Sequence, residues 1–335
     1  MNEMMQKLFY ILIILVIADC TLKIDNCACQ WFSQPLPMAI DVRDIKFFDA
    51  YTGLVSAYDQ VSVVSYLFRS TNSGSNWSVI SNMPIFKLLI INDSIIYGNG
   101  RKLADGSETI YRTFDRGITW DSVGINSSAV YIGMSFINKD TGWVSGFDGS
   151  TPKIWKTTNG GINLIPLSLS SGIGIGRIFF LKYRINGEYY GWCSQQGNMW
   201  RTTNSGSNWF QCGGAGTLQQ LEFINENTGW ASNTSVNILK TTDGGMNWVN
   251  IHMPQGNGIV LSLINNFKII DSNIIYGDYG SRQFPSSKIC GVIWKTTNGG
   301  NNWGFQQPDT SLAWGRYMGI DFIDANTGWS SNIHT

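Results

Sequence analysis

Three arginines are the side chains of this sequence best suited to hold an anionic ligand. Arg43, Arg177 and Arg316 each lie a few residues before a short apolar segment that ends in phenylalanine. A guanidinium group binds a carboxylate through two parallel hydrogen bonds, so arginines that converge would form a carboxylate clamp. Trp314 lies two residues before Arg316, and its ring could stack on a ligand. The arginines lie at unequal distances before their phenylalanines, which favours solvated loop arginines over a built clamp.

Paired carboxylates would indicate a different chemistry, because hydrolysis of a glycosidic bond needs two of them about 5–9.5 Å apart. The acidic residues expected near the arginines are Asp41, Asp44, Glu222, Asp278, Asp309 and Asp321. They lie in separate segments of the chain, and their spacing does not single out a pair. We therefore predict no catalytic residue.

The composition narrows the classes of function. Lys and Arg number 23, Asp and Glu also number 23, and only two histidines are present. A neutral chain lacks the basic surface that nucleic-acid binding requires. The scarcity of histidine, and six cysteines that match no zinc spacing, predict neither a metal site nor a cofactor. With 43% hydrophobic residues, 37 glycines and 14 tryptophans, short strands and tight turns around a large core are expected.

An eight-residue pattern, T-x-[ND]-x-G-x-x-W, recurs along the chain and decides the fold class. Its six copies end at Trp77, Trp120, Leu164, Trp209, Trp248 and Trp303. The steps between these ends are 43, 44, 45, 39 and 55 residues, close to one four-stranded propeller blade per repeat. In this pattern the Asn or Asp oxygen accepts backbone N–H groups and the Gly supplies a positive φ, as in a tight turn between two strands. These turn positions are Asn72, Gly74, Asp115, Gly117, Asn159, Gly161, Asn204, Gly206, Asp243, Gly245, Asn298 and Gly300.

A second element, typified by Thr141-Gly142-Trp143, precedes each turn. It begins seven repeats, two of them in the variant form Ile96-Tyr97-Gly98. Within the third repeat we predict strands at residues 134–137, 142–146, 154–157 and 164–167 from apolar alternation. A long connection around residues 281–291 is predicted to be a loop that reaches the binding face.

These motifs resemble the Asp-box, or BNR repeat, and together they are most similar to propellers of the photosystem II stability/assembly-factor type. The resemblance covers Trp31 to the end of the chain. It implies a non-enzymatic scaffold that binds a partner polypeptide through an arginine-bearing surface. Asp-boxes also occur in sialidases, xyloglucanases and sortilin-type receptors. A glycoside hydrolase of the sialidase or xyloglucanase type, acting on extracellular polysaccharide, is therefore the alternative.

The predicted fold is all-β: a seven-bladed β-propeller of four-stranded antiparallel blades over residues 27–335. The segment around Trp31 resembles the strand that follows each turn, so we expect it to close the last blade. No seventh turn precedes Thr335, which predicts an incomplete last blade or a chain that continues. In such a propeller the arginines and Trp314 would lie on the face opposite the repeated turns, where a protein partner or a glycan would bind.

The N-terminus predicts export. Residues 8–18 form an apolar run behind Lys7 that is too short to span a bilayer and typical of a signal peptide over residues 1–18. Ala18-Asp19-Cys20 partly resembles a lipobox, so membrane association is expected only if Cys20 carries lipid. The predicted location is periplasmic, extracellular or at the cell surface.

Overall fold

The computed structural model describes residues 11–16, 30–38, 40–102, 104–126, 128–167, 176–195, 197–234, 238–254, 258–261, 264–285, 289–307 and 315–334. All regular structure in these ranges is β-strand. The prediction of an all-β fold is confirmed.

The strands are short and follow one another closely. The first ten are β1 (Ile11–Val16), β2 (Gln30–Pro35), β3 (Asp41–Phe47), β4 (Gly53–Asp59), β5 (Val64–Ser70), β6 (Ser78–Ser81), β7 (Ile85–Ile90), β8 (Ile96–Arg101), β9 (Glu108–Thr113) and β10 (Asp121–Asn126). The next ten are β11 (Ala129–Phe136), β12 (Gly142–Asp148), β13 (Thr151–Thr157), β14 (Ile165–Pro166), β15 (Ile178–Ile185), β16 (Glu188–Gln195), β17 (Gly197–Thr202), β18 (Phe210–Gly216), β19 (Leu218–Phe223) and β20 (Gly229–Asn233). The last nine are β21 (Ile238–Thr241), β22 (Val249–Ile251), β23 (Ile259–Leu261), β24 (Phe267–Ile269), β25 (Ile275–Gln283), β26 (Ile289–Thr296), β27 (Gly304–Gln306), β28 (Gly315–Phe322) and β29 (Thr327–His334).

The strands form antiparallel sheets, which we number along the chain. Sheets 1 to 5 are β3–β6, β7–β10, β11–β14, β15–β18 and β19–β22, each with its strands in chain order. Sheet 6 contains β23 to β27, and sheet 7 has the order β2-β1-β29-β28. Residues 1–87 and 253–335 form one compact unit, and residues 88–252 form a second one.

The predicted strands of the third repeat all exist in sheet 3, and they differ from the prediction mainly in length. Strands β11 and β13 begin before the predicted residues 134 and 154, and β12 continues to Asp148. The fourth strand is only Ile165–Pro166. The predicted loop at residues 281–291 is shorter than expected, because Arg282 pairs with Cys290 across a β-hairpin.

The N-terminal segment closes sheet 7, as predicted. Strand β2 pairs with β1 over Ile11–Val16, and β1 pairs in turn with β29. Trp31 on β2 packs against a core cluster that contains Tyr317 and Phe322 of β28. The strand β1 itself was not expected, because its residues fall within the predicted signal peptide.

One three-residue contact recurs between neighbouring sheets within each unit. A phenylalanine at the end of the first strand of a sheet lies flat against an aromatic ring from the second strand of the preceding sheet. The stacked pairs, with ring centroids 3.4–3.8 Å apart, are Tyr97–Phe136, Trp143–Phe180, Trp192–Phe223, Tyr276–Phe322 and Trp329–Phe47. A glycine covers the other side of the phenylalanine, and a Cβ at Gly142 would lie 2.4 Å from the Phe136 ring. The predicted T-G-W element is therefore an inter-sheet contact.

The same aromatic residues are also fixed by hydrogen bonds to the next sheet. The indole N–H of Trp143 donates to the Ser205 carbonyl at 3.1 Å, and that of Trp192 donates to the Gly244 carbonyl at 2.8 Å. Both carbonyls belong to the repeated turns. Each buried indole thus supplies apolar area and a satisfied donor, which couples the turn of one sheet to the second strand of its neighbour.

Replacing Gly142 by Ala should destabilise the fold, because the new methyl group would overlap the Phe136 ring. We expect a loss of about 2 kcal/mol in the free energy of unfolding, as is typical of an overpacked core. Urea unfolding would measure it. Gly304→Ala is the control, because a Cβ there meets nothing within 4 Å. Equal stability of the two variants would contradict the packing described here.

Trp31→Ala tests whether the N-terminal strand contributes to sheet 7. Because Trp31 is partly buried against Tyr317 and Phe322, its truncation should cost about 2 kcal/mol, less than for a fully buried tryptophan. Thermal unfolding of Phe32→Ala provides the comparison, since Phe32 is 44% exposed on the same strand. A Trp31→Ala variant as stable as Phe32→Ala would show that β2 adds nothing to the sheet.

Candidate functional site

A β-bulge in the first strand of sheet 1 positions Arg43. Asp41 pairs with Tyr58 and Val42 with Ala57, but the next pair is Asp44 with Ser56, so Arg43 is the extra residue. A bulge of this kind turns a side chain away from the regular alternation of the strand. The bulge could not be predicted from the sequence, although the arginine was.

The guanidinium group of Arg43 lies between two aromatic rings. Its central carbon is 4.4 Å from the centroid of Tyr58 and 4.9 Å from that of Phe86. Burial lowers the pKa of Arg43, and the nearby Tyr58 and Asp41 act against that shift. Contact with two rings restricts the position of the guanidinium group, which favours binding of a planar anion by its N–H groups.

A cleft of about 570 Å³ opens beside this arginine, lined by Asp41, Arg43, Tyr58 and Gln60. The Gln60 amide donates a hydrogen bond to the Asp41 carboxylate, which orients both side chains. The cleft therefore offers a fixed cation, a carboxylate and an aromatic surface side by side. Such a lining is suited to a polar peptide segment or a sugar. Tyr58, Gln60 and Phe86 were not predicted as binding residues. The one sequence feature that could have indicated Tyr58 and Gln60 is their position at the end of β4 and the start of the following turn.

The other predicted binding residues have separate surroundings. Arg177, in the second unit, donates from Nη1 to the Ile132 carbonyl at 3.2 Å, and burial lowers its pKa. Arg316 lies on β28 opposite Ile333. Trp314 lies outside the described residues. Arg43 is thus the predicted arginine whose side chain borders the cleft.

Two of the candidate carboxylates are fully buried and bonded to backbone amides. Asp321 accepts hydrogen bonds from the Phe47 amide at 2.7 Å and from the Lys268 ammonium group at 2.8 Å. Asp278 accepts them from the Gly319 and Asn266 amides. Both carboxylates thus link neighbouring sheets of the first unit, which is a structural role. Asp309 lies outside the described residues.

In the second unit the Tyr131 hydroxyl lies near the Glu108 carboxylate. The Tyr131 hydroxyl donates to the Gly124 carbonyl, and burial together with the Glu108 charge raises its pKa. Glu108 is paired with Arg101 at 3.0 Å. The tyrosine hydroxyl and the carboxylate are thus each engaged with another partner.

The repeated turns have the predicted geometry in all six copies. The Ser or Thr hydroxyl at the first position accepts the N–H of the Gly at the fifth, and the Asn or Asp oxygen at the third accepts the N–H at the seventh. The six glycines have φ between 81° and 91°. Trp77, Trp209 and Trp303 are buried behind these turns, and Leu164, in place of Trp, packs against the core cluster of Ile110. Asp115 and Asp243 thus accept hydrogen bonds within their own turns.

The described residues hold no group of three or more side chains suited to bind a metal ion. The described part of the chain also contains no helix long and apolar enough to cross a membrane.

Comparison with known proteins gives similarity at the level of structure. No protein-family model and no curated protein matches the sequence. A solved structure of YCF48 bound to a D1 peptide is 15% identical, with a TM-score of 0.59 over 90% of this chain and 93% of that one. YCF48 from Cyanidioschyzon merolae has the same identity and TM-score, with 97% of its chain covered. The C-terminal WD40 domain of Sif2 is 10% identical, with a TM-score of 0.51 over 92% of this chain and 87% of that domain.

These likenesses agree with the antiparallel sheets and define the class: the chain is a β-propeller. Within that class the solved propellers it resembles include YCF48, at an identity that shows the fold alone.

Asp115→Asn should make the stability of the protein less dependent on acid pH. Burial alone would raise the pKa of Asp115, because it disfavours the charged form. Hydrogen bonds from Thr119, Thr113 and Ile118 outweigh this effect and lower the pKa from 3.8 to about 2. Since the folded-state pKa is the lower one, the ionised group stabilises the fold above about pH 4, and this contribution is lost as the pH falls towards about 2. Asn accepts the same backbone bonds in four other turns and does not titrate. Urea unfolding should show a shallower acid slope for the variant; an unchanged slope would contradict this assignment.

Proposed function

We propose that the protein is an exported, non-enzymatic propeller scaffold that binds a polypeptide partner at the cleft beside Arg43. In this proposal the propeller has seven blades, six of which carry an Asp-box turn. Export rests on the apolar run of residues 8–18 and would bring the mature protein to the periplasm, the extracellular space or the cell surface. Because Ile11–Val16 also form β1 of sheet 7, this part of the proposal requires that sheet 7 lose β1 when the run is cleaved.

The observation that carries the proposal is the environment of Arg43. A guanidinium group packed against two rings still has N–H donors at its edge, and two of these can bind one carboxylate. Arg43 lies at the mouth of a 570 Å³ cleft, next to Asp41 and Gln60. A carboxylate from a partner's side chain or C-terminus would bind that edge, while Asp41 and Gln60 would contact the partner's backbone amides.

Two further observations support a polypeptide over a glycan. YCF48, a solved propeller of similar fold, is bound to a D1 peptide, so a protein of this fold can bind a peptide. The buried carboxylates Asp278 and Asp321 are engaged with backbone amides, and the Tyr131 hydroxyl is engaged with the Gly124 carbonyl, so each of these groups already has a partner within the fold.

Arg43→Ala tests the proposal directly. Fluorescence anisotropy would measure binding of a fluorescein-labelled decapeptide of alternating Glu and Gly, with the Lys–Gly decapeptide as the control ligand. We expect the acidic peptide to bind and the Arg43→Ala variant to bind it about fivefold more weakly. Arg43→Lys should bind with intermediate affinity, because it keeps the charge and loses the stacked plane.

Arg184→Ala is the matched control variant, since Arg184 also stacks on a tyrosine, 4.9 Å from the Tyr189 centroid, but belongs to the second unit. It should bind the acidic peptide like the wild type. Equal binding by Arg43→Ala and the wild type would overturn the assignment of the cleft. Turnover of sialosides or β-glucans that is abolished by Arg43→Ala would overturn the non-enzymatic role.

A further inference from the structure

The cleft beside Arg43 contains a carboxylate as well as a guanidinium group. Asp41 and Arg43 both line it, and the negative charge of Asp41 acts on the guanidinium group. Tyr58 lines the same cleft and contacts the guanidinium group with its ring. A ligand that enters the cleft therefore meets two opposite charges side by side.

One oxygen of the Asp41 carboxylate is engaged, and the other is open to a ligand. The Gln60 amide donates a hydrogen bond to Oδ2, and among the described residues no donor is bonded to Oδ1. The bond from Gln60 restricts the orientation of the carboxylate at the wall of the cleft. A carboxylate oxygen forms its strongest hydrogen bonds with cationic donors, such as the ammonium group of lysine or the guanidinium group of arginine.

The Asp41 carboxylate also opposes the binding of a purely acidic ligand. Because Asp41 and Arg43 line one cleft, a ligand carboxylate that binds Arg43 comes close to Asp41, and the two negative charges repel each other. A basic group next to the ligand carboxylate offsets this repulsion, since it presents a positive charge to Asp41. The cleft thus favours a segment in which an acidic and a basic side chain are neighbours.

The other carboxylates of the first two strands of sheet 1 have different surroundings. Asp44 is buried, with 3% of its surface exposed. Asp59, at the end of β4, accepts hydrogen bonds from the Val61 amide at 2.9 Å and from the Ser62 hydroxyl, which shape the turn that follows. Among the described residues that line the cleft, Asp41 is the acidic one.

We propose that Asp41 determines the specificity of the cleft, and that the partner segment carries an acidic side chain for Arg43 beside a basic side chain for Asp41. This inference rests on the proposed function, since it uses the same cleft. It goes further than a contact between Asp41 and backbone amides, because it assigns the partner a charge pattern. A segment of mixed charge is bound in preference to one that is only acidic.

Two labelled decapeptides test this specificity, one of alternating Glu and Lys and one of alternating Glu and Gln, which keeps a long side chain without its charge. In fluorescence anisotropy the wild type should bind the Glu–Lys peptide about threefold more tightly than the Glu–Gln peptide. Asp41→Asn should lose this preference, because the charge that attracts lysine is gone. It should also bind the Glu–Gln peptide about twofold more tightly than the wild type does, because the repulsion is removed. Asn still offers an oxygen to the Gln60 amide.

Asp59→Asn is the matched control, because it removes the same charge from the neighbouring strand and keeps an oxygen for the turn. It should bind both peptides like the wild type. An equal preference in the wild type and Asp41→Asn would overturn the proposal. So would the same loss of preference in Asp59→Asn, which would trace it to the overall charge of the protein. If Arg43→Ala bound both peptides like the wild type, the proposed function would fail and this inference with it; if Arg43→Ala bound weakly and Asp41→Asn kept the preference, this inference alone would fail.

Discussion

The structure depends on a phenylalanine ring enclosed between a glycine and the aromatic side chain of the preceding sheet. Sheets that stand side by side need an apolar contact that repeats with the same geometry, because each one buries its face only against its neighbours. The glycine lets the ring lie flat on its own sheet, and the stacked indole or phenol covers the other side. A larger residue than glycine would push the ring out of the stack, so the contact tolerates little variation.

Within each repeat this contact constrains one end of the strands and leaves the other end less constrained. One end of the first and second strands forms the stack, and the repeated turn accepts the indole hydrogen bond of the neighbour, as Ser205 does from Trp143. At the opposite end of the two strands, neither the aromatic stack nor the indole hydrogen bond restricts the choice of residue. There the strands carry bulges, as at Arg43, or an interruption, as in sheet 6. The candidate site thus occupies the part of the first unit where the repeat places the weakest constraints on the sequence.

The repeats made most of the fold predictable from the sequence. The turn pattern has a local cause, since its hydroxyl, carboxamide and glycine satisfy each other within eight residues, so its geometry could be inferred without any long-range information. The T-G-W element was recognised as a repeat, but its stacking partner was not, because the phenylalanine it covers comes about 40 residues later. The strand at Ile11–Val16 could not be separated from a signal peptide by hydropathy, since both are short apolar runs.

The site was less predictable than the fold. Arg43 could be proposed from its position before a strand, but the bulge and the rings of Tyr58 and Phe86 depend on two strands and the start of a third. Asp278 had been grouped with possible catalytic acids, and only its hydrogen bonds to Asn266 and Gly319 show that it is structural. The step of 55 residues between the last two turns was the one sign that sheet 6 departs from the others.

The central claim is that the face bearing Arg43 binds the partner, and hydrogen–deuterium exchange with the acidic decapeptide tests it most directly. The account predicts slower exchange on peptide binding in the segments around residues 41–44, 56–60 and 85–88, with the repeated turns unchanged. Protection confined to the repeated turns, or to the second unit alone, would contradict it.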